Sequence, residues 1–100
     1  MYSLLIVDGD KNELKKIREM VEDSSMKTEG VWECGSGIEA VKAALSRRPC
    51  ICLTEIKLPD ITGFEAVRQM QAVNPECKYI FTTSHSYFDY AIQAMQLGAV

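Results

Sequence analysis

Short continuous apolar runs alternate along this chain with stretches in which apolar residues recur at helical spacing. A short continuous run is typical of a strand in a parallel sheet, because helices cover both faces of such a sheet. Ser3–Val7 has this character, and three further short, mostly apolar segments are also interpreted as strands: Val31–Cys34, Cys50–Thr54 and Cys77–Thr82. The pattern therefore predicts four buried strands, each followed by a segment of a different period.

The segments after the four runs predict helices, since their apolar residues lie three or four positions apart. The expected inward faces are Leu14, Ile17 and Val21; Ile38, Val41 and Leu45; Phe64, Val67 and Met70; and Phe88, Ala91 or Ile92 and Met95. Asp10 or Asn12 can cap the first helix. The last helix is expected to begin near Ser86.

Four strand–helix units in succession predict an α/β domain with a parallel sheet, and right-handed crossovers place helices on both faces. Sites in such folds lie beyond the carboxyl ends of the strands. The residues at those ends are Asp8-Gly9-Asp10, Cys34-Gly35, Glu55 and Thr82-Thr83. Acidic residues and a hydroxyl at one edge predict a pocket for a hard cation and a phosphoryl group.

Composition narrows the possible functions. The chain has 100 residues, which is enough for one domain, and a net charge of -3. A negative chain is not expected to bind a nucleic-acid backbone by itself, because that binding needs a basic face. No apolar run approaches the roughly 18 residues of a membrane span, and no basic leader begins the chain, so a cytoplasmic location is expected.

The four cysteines are Cys34, Cys50, Cys52 and Cys77. None forms a CxxC pair, and three lie in apolar runs, so buried thiols in a reducing compartment are the simplest interpretation. Cys50 and Cys52 would point to the same side of a strand. A thiolate metal site there stays open as a less favoured alternative.

In this order and spacing, the motifs resemble the receiver domain of two-component response regulators. The matching segments are Leu5–Asp10, with the acidic signature of the first strand; Thr54–Gly63, the phosphorylation loop; Ile80–Thr83, the fourth strand with its switch hydroxyl; and Phe88–Ala91 with Leu97–Ala99, the fourth helix of regulators fused to AraC-type DNA-binding domains. The resemblance implies a flavodoxin-like (CheY-like) doubly wound parallel sheet, with strand order 2-1-3-4, over residues 1–100.

In this family an aspartate accepts a phosphoryl group from a sensor histidine kinase, and a magnesium ion neutralises the charge. By motif, Glu55 occupies the acceptor position and Thr83 is the switch hydroxyl, with Thr82 or Ser84 as alternatives if the register differs by one. The implied magnesium ligands, all weak, are Asp8, Asp10, Glu55 and the backbone carbonyl of Lys57.

The chain departs from the family pattern in three places. Glu55 is one methylene longer than aspartate, and a displacement of about 1 Å can lower a rate on the order of 100-fold. Gly9 replaces the second acid after the first strand, which should weaken magnesium binding. The chain ends at Val100, before the expected last strand and helix. We therefore expect either continuation beyond Val100 or self-association through open edges.

These features predict an atypical receiver module that is not an enzyme. It would control transcription through a DNA-binding output domain beyond Val100. An alternative is a phosphorylation-independent interaction module of the same fold, and Glu55 could partly mimic the phosphorylated state. A third hypothesis is dinucleotide binding, because Gly35, Gly37 and Ala40 match a glycine fingerprint that follows a strand and opens a helix.

Overall fold

The computed structural model describes residues 2–24 and 27–82, which form a parallel sheet with three helices. The elements are β1 Tyr2–Val7, α1 Lys11–Asp23, β2 Thr28–Cys34, α2 Gly37–Arg47, β3 Ile51–Glu55, α3 Gly63–Val73 and β4 Lys78–Thr82. The strand order is β2-β1-β3-β4, and every neighbouring pair is parallel. This confirms the predicted α/β class and strand order. Thr83 and the last predicted helix lie outside the described residues.

Each strand contributes alternate side chains to the two faces of the sheet. One face packs against α2 and α3 in a cluster of Leu5, Val7, Cys34, Ala40, Ala44, Cys52, Ala66, Val67, Met70, Cys77 and Tyr79. Leu4 and Ile6 alternate with members of that cluster and are also buried, as is Leu14 of α1. Both faces of β1 are therefore covered, as its continuous apolar run predicts.

The prediction for the inward face of α2 was wrong at two of three positions. Ile38 and Leu45 are 51% and 61% exposed, and only Val41 packs against the core. Ala40 and Ala44, four residues apart, are completely buried instead. Small side chains occupy this face because it packs on the sheet beside α3, where longer side chains would overfill the space.

The described helices begin at side-chain caps that the sequence supplies locally. Asp10, Ser36 and Thr62 are the N-caps of α1, α2 and α3, and each accepts a hydrogen bond from a backbone N–H of the first turn. These bonds satisfy donors that a helix cannot pair internally. Within the described residues, no helix has the length and apolar character that a membrane span requires.

Candidate functional site

Three polar residues lie in a row across the carboxyl edge of the sheet. Glu55 at the end of β3 is the Cα partner of Thr82 at the end of β4. Asp8 follows Val7, whose partner in β3 is Thr54, so Asp8 lies beside Glu55. The Asp8 N–H donates to the Cys34 carbonyl over 3.0 Å, which fixes the turn after β1. The sheet thus brings together the two acids that the sequence predicts.

The Asp8 and Glu55 carboxyl groups lie close enough to shift each other's pKa. Burial raises the pKa of both carboxyl groups, and the negative charge of Asp8 raises the pKa of Glu55 further. Asp8 is only 4% exposed, and its Oδ1 accepts a hydrogen bond from the Asp10 N–H over 2.9 Å.

Gly9 occupies the position at which the family pattern has a second acid. It lies against Pro59 of the loop after β3: a Cβ at Gly9 would stand 3.3 Å from the Pro59 Cδ. That distance is tighter than an ordinary contact, so a side chain here requires a small shift of the proline ring. The position that lacks the carboxylate is therefore also the place where the loop after β1 closely approaches the loop after β3.

Asp10, the third predicted acid, has a structural contact of its own. Its Oδ1 accepts a hydrogen bond from the Asn12 N–H over 2.8 Å, which caps α1. An aspartate at a helix N-terminus is also favoured by the helix dipole. The Asp10 carboxylate is therefore engaged in capping α1, and its predicted part in binding a metal stays a prediction.

The loop between β3 and α3 is held close to the end of β3. The Gly63 N–H donates to the Ile56 carbonyl over 2.7 Å, and an added Cβ at Gly63 would lie 3.0 Å from the Ile56 Cα. Only a residue without a side chain allows this approach. The nearby backbone N–H groups of Lys57 and Ile56 lower the pKa of Glu55, against the larger effects of burial and of the Asp8 charge. The first residues of this loop therefore contribute to the electrostatics at Glu55.

A hydroxyl on β4 completes the row. The Thr82 Oγ1 is buried and has no hydrogen-bond partner within the described part of the chain. An unpaired buried hydroxyl is costly, which marks this position as one where a partner would be favourable. Thr82 was the alternative to Thr83 in the sequence, and Thr83 itself lies outside the described residues.

Asp60 is a site-loop residue that the sequence argument missed. Its Oδ1 accepts hydrogen bonds from the N–H groups of Gly37 and Ile61 over 2.8 and 2.7 Å, and its Oδ2 accepts one from Ile38 over 2.9 Å. These donors lower the pKa of Asp60 to about 2, with the Ile38 N–H the largest cause. Asp60 therefore attaches the loop between β3 and α3 to the N-terminus of α2. Ile38, one of its partners there, precedes Asp60 by 22 residues in the sequence.

The same contact bears on the glycine fingerprint of Gly35, Gly37 and Ala40. A dinucleotide phosphate would use free N–H groups at the start of α2. The N–H groups of Gly37 and Ile38 already donate to the Asp60 carboxylate. Gly37 lacks a side chain because Ile61 lies against it, with the Ile61 Cδ1 3.0 Å from the place of a Cβ. Packing thus explains the central glycine without a nucleotide.

The carboxylates present fit Mg²⁺ poorly. Magnesium prefers octahedral oxygen ligands and usually takes one or two protein carboxylates. The described residues offer Asp8 and Glu55 at this edge, while Gly9 supplies no oxygen from a side chain. Within residues 2–24 and 27–82, no cluster of three or more acidic, histidine or cysteine side chains has a geometry suited to a metal ion.

Comparison with known proteins identifies the family of this chain and supports its fold. The family model for the response regulator receiver domain matches residues 4–100. The chemotaxis protein CheY of Listeria monocytogenes is 33% identical over 99 residues, which are 99% of this chain and 82% of that protein. An uncharacterized transcriptional regulatory protein of Bacillus subtilis, YesN, is 28% identical over 98 residues, which are 98% of this chain.

The chain spans only 27% of the length of YesN. Among solved structures, a two-component response regulator of the LuxR family from an Aurantimonas species superposes with a TM-score of 0.89 at 22% identity. That alignment covers 99% of this chain and 70% of the Aurantimonas chain. At this identity the superposition supports the fold alone.

Proposed function

Because this chain belongs to the response regulator receiver domain family of two-component signalling, we propose that it is an atypical receiver whose signal depends on protein contacts rather than on ordinary aspartyl phosphorylation. In this proposal the chain is not an enzyme, and its acidic edge binds Mg²⁺ only weakly. The observation that supports it is the position of Glu55, one methylene longer than aspartate, beside Asp8 at the ends of neighbouring strands, with Gly9 next in the chain.

Two physical arguments connect that pair with poor phosphoryl transfer. A nucleophilic carboxylate must be placed for in-line attack, whereas the Glu55 carboxyl is one methylene farther from its backbone than an aspartate carboxyl and lies beside Asp8. A metal must neutralise the charge of the transferring group. With Gly9 in place of an acid, the site has one carboxylate fewer to hold that metal.

We propose further that the partners are a sensor histidine kinase or another regulatory protein in the cytoplasm, and an output domain that binds DNA and controls transcription. Two observations support the output domain. The relative YesN is a transcriptional regulatory protein, and this chain spans only 27% of the length of YesN. The receiver would influence that domain through contacts of its own surface, because its net charge of -3 disfavours direct DNA binding.

Intact-protein mass spectrometry after incubation with acetyl phosphate and Mg²⁺ tests the acceptor argument. We expect the natural sequence to stay unmodified. The double variant Gly9→Asp/Glu55→Asp should take up one phosphoryl group, because it restores both the acceptor length and the missing carboxylate. The shorter side chain at position 55 alone should raise the rate of phosphoryl uptake on the order of 100-fold above that of the natural sequence, because it corrects a displacement of about 1 Å.

Two controls separate this result from unspecific changes. Gly9→Ala adds the Cβ beside Pro59 without a carboxylate, and Glu29→Asp makes the same shortening at an exposed acid of β2. Neither should take up phosphate. Clean uptake of one phosphoryl group by the natural sequence would contradict the proposal.

A further inference from the structure

A pair of cysteines lies at the amino-terminal edge of the sheet, opposite the acidic edge. Ile51 of β3 and Lys78 of β4 are Cα partners, and Cys50 and Cys77 directly precede them. The Lys78 N–H donates to the Cys50 carbonyl over 2.9 Å, so the backbone segments that carry the two cysteines are directly hydrogen-bonded to each other. Neighbouring strands lie about 4.8 Å apart. This spacing is within the roughly 4.4–6.8 Å that disulfides require between Cα atoms.

The two thiols of the pair have contrasting surroundings. Cys50 is exposed, and the Ser3 hydroxyl donates to its Sγ over 3.4 Å. This hydrogen bond lowers the pKa of the Cys50 thiol. Cys77 is only 6% exposed, and burial raises the pKa of its thiol to about 11. An accessible thiol of lowered pKa next to a second thiol is the arrangement in which a sulfenic acid can be resolved to a disulfide.

We propose that Cys50 and Cys77 form a reversible intramolecular disulfide when the protein meets a hydroperoxide. In the first step the Cys50 thiolate attacks the peroxide, the O–O bond breaks, and the products are a Cys50 sulfenic acid and water or an alcohol. In the second step the Cys77 sulfur displaces the hydroxyl group from the Cys50 sulfur, and a second water leaves with the thiol proton. A dithiol reductant returns both thiols.

The other cysteines are less well placed to be the partner of Cys50. Cys52 is completely buried on β3, and its Cα partner in β4 is Tyr79 rather than a cysteine. Cys34 is at the far end of β2, which β1 separates from β3. Cys77 is therefore the described thiol that the strand register places beside Cys50.

Peptide mapping without reduction, after treatment with hydrogen peroxide, tests the disulfide. Trypsin releases Cys77 in a peptide of residues 69–78, and Cys50 and Cys52 together in a peptide of residues 48–57. We expect these two peptides to be linked, with fragmentation at Ile51 assigning the bond to Cys50. Dithiothreitol should separate them. The linkage should be lost in Cys50→Ser and in Cys77→Ser.

Cys34→Ala is the matched control, because it removes a cysteine outside the pair, and the linked peptides should persist in it. In Cys77→Ser, the sulfenic acid of Cys50 should accumulate and react with dimedone. Three outcomes would each overturn the proposal: a bond assigned to Cys52, a disulfide between two copies through Cys50, or irreversible oxidation of Cys50 while Cys77 stays a free thiol.

Discussion

The pKa values of carboxyl groups in the loops after β1 and β3 shift in opposite directions, because the surroundings of these groups differ. Asp8 and Glu55 lie beside each other at the carboxyl edge of the sheet, where partial burial removes water from both groups and raises the pKa of each. Asp60, five residues after Glu55, accepts three backbone N–H groups and its pKa falls to about 2. Donors favour the charged form, whereas burial and a like charge disfavour it.

Asp60→Asn should destabilise the domain, because an amide oxygen accepts the α2 donors less strongly than a carboxylate does. Since the folded-state pKa of Asp60 is lowered, its stabilising contribution is complete above the ordinary value of 3.8 and is lost as the pH falls toward about 2. The urea midpoint of the variant should therefore lie below that of the natural sequence at pH 7. The difference should shrink as the pH approaches about 3.

Asp23→Asn, at the exposed end of α1, is the control for the Asp60 substitution. It removes a carboxylate at a helix C-terminus, where negative charge is unfavourable, so its midpoint should be unchanged or slightly higher. A difference between Asp60→Asn and the natural sequence that stays constant down to about pH 3 would show that the Asp60 carboxylate is not the stabilising group.

At the scale of elements, the start of α2 is the place where the phosphorylation loop and the helix layer meet. Asp60 and Ile61 pack against Gly37, and the Ile61 Cδ1 and Asp60 Oδ1 lie 3.0 and 3.3 Å from the position of a Cβ. Gly35, two residues earlier, has no heavy atom within 4 Å of such a position. Two glycines of one short segment are thus constrained very differently.

Gly37→Ala should destabilise the domain by about 1–3 kcal/mol, because the added methyl group displaces Ile61 and weakens the Asp60 contact. Helix propensity alone would favour alanine, so the sign of the change identifies the packing effect. Gly35→Ala is the matched control and should alter stability by less than about 0.5 kcal/mol. Equilibrium unfolding in urea measures both. Equal effects at the two glycines would contradict the packing account.

The sequence predicted this fold well where the signal is local or repeated. Continuous apolar runs located the strands, and alternation with helices led to the parallel sheet. The inward face of α2 was not predictable from Ile38 and Leu45, because the choice of alanines depends on how close α3 and the sheet approach. The cap at Thr62, by contrast, was readable from the glutamate three residues later.

The same division applies to the candidate site. Asp8 and Glu55 could be paired from the rule that parallel strands share a carboxyl edge. The contact of Asp60 with α2 joins residues 22 or 23 positions apart, and no local pattern indicates it. Cys50 was expected to be buried with the other thiols but is exposed; no local pattern indicates this, since Cys77 also directly precedes its strand and is buried.

For the whole molecule, the acidic pair and the cysteine pair lie at opposite ends of β3. This strand has five residues, which corresponds to about 17 Å at the usual rise. Substitutions in one pair are therefore expected to act independently of the other, since effects at such distances usually add. Cys50→Ser and Cys77→Ser should leave the phosphoryl-transfer result at the acidic edge unchanged.

A fixed, phosphorylated-like state would require the charge of Glu55 to act on the switch hydroxyl of β4. The Thr82 hydroxyl has no hydrogen-bond partner among the described residues, Glu55 included, and on its other side Glu55 lies beside Asp8, which follows β1. We therefore expect Glu55→Asp to leave the sedimentation coefficient of the full-length protein unchanged without a phosphodonor. Gly9→Asp/Glu55→Asp with acetyl phosphate and Mg²⁺ should alter its association, because a phosphoryl group adds nearly two charges. A shift caused by Glu55→Asp alone would instead establish that the glutamate mimics phosphorylation.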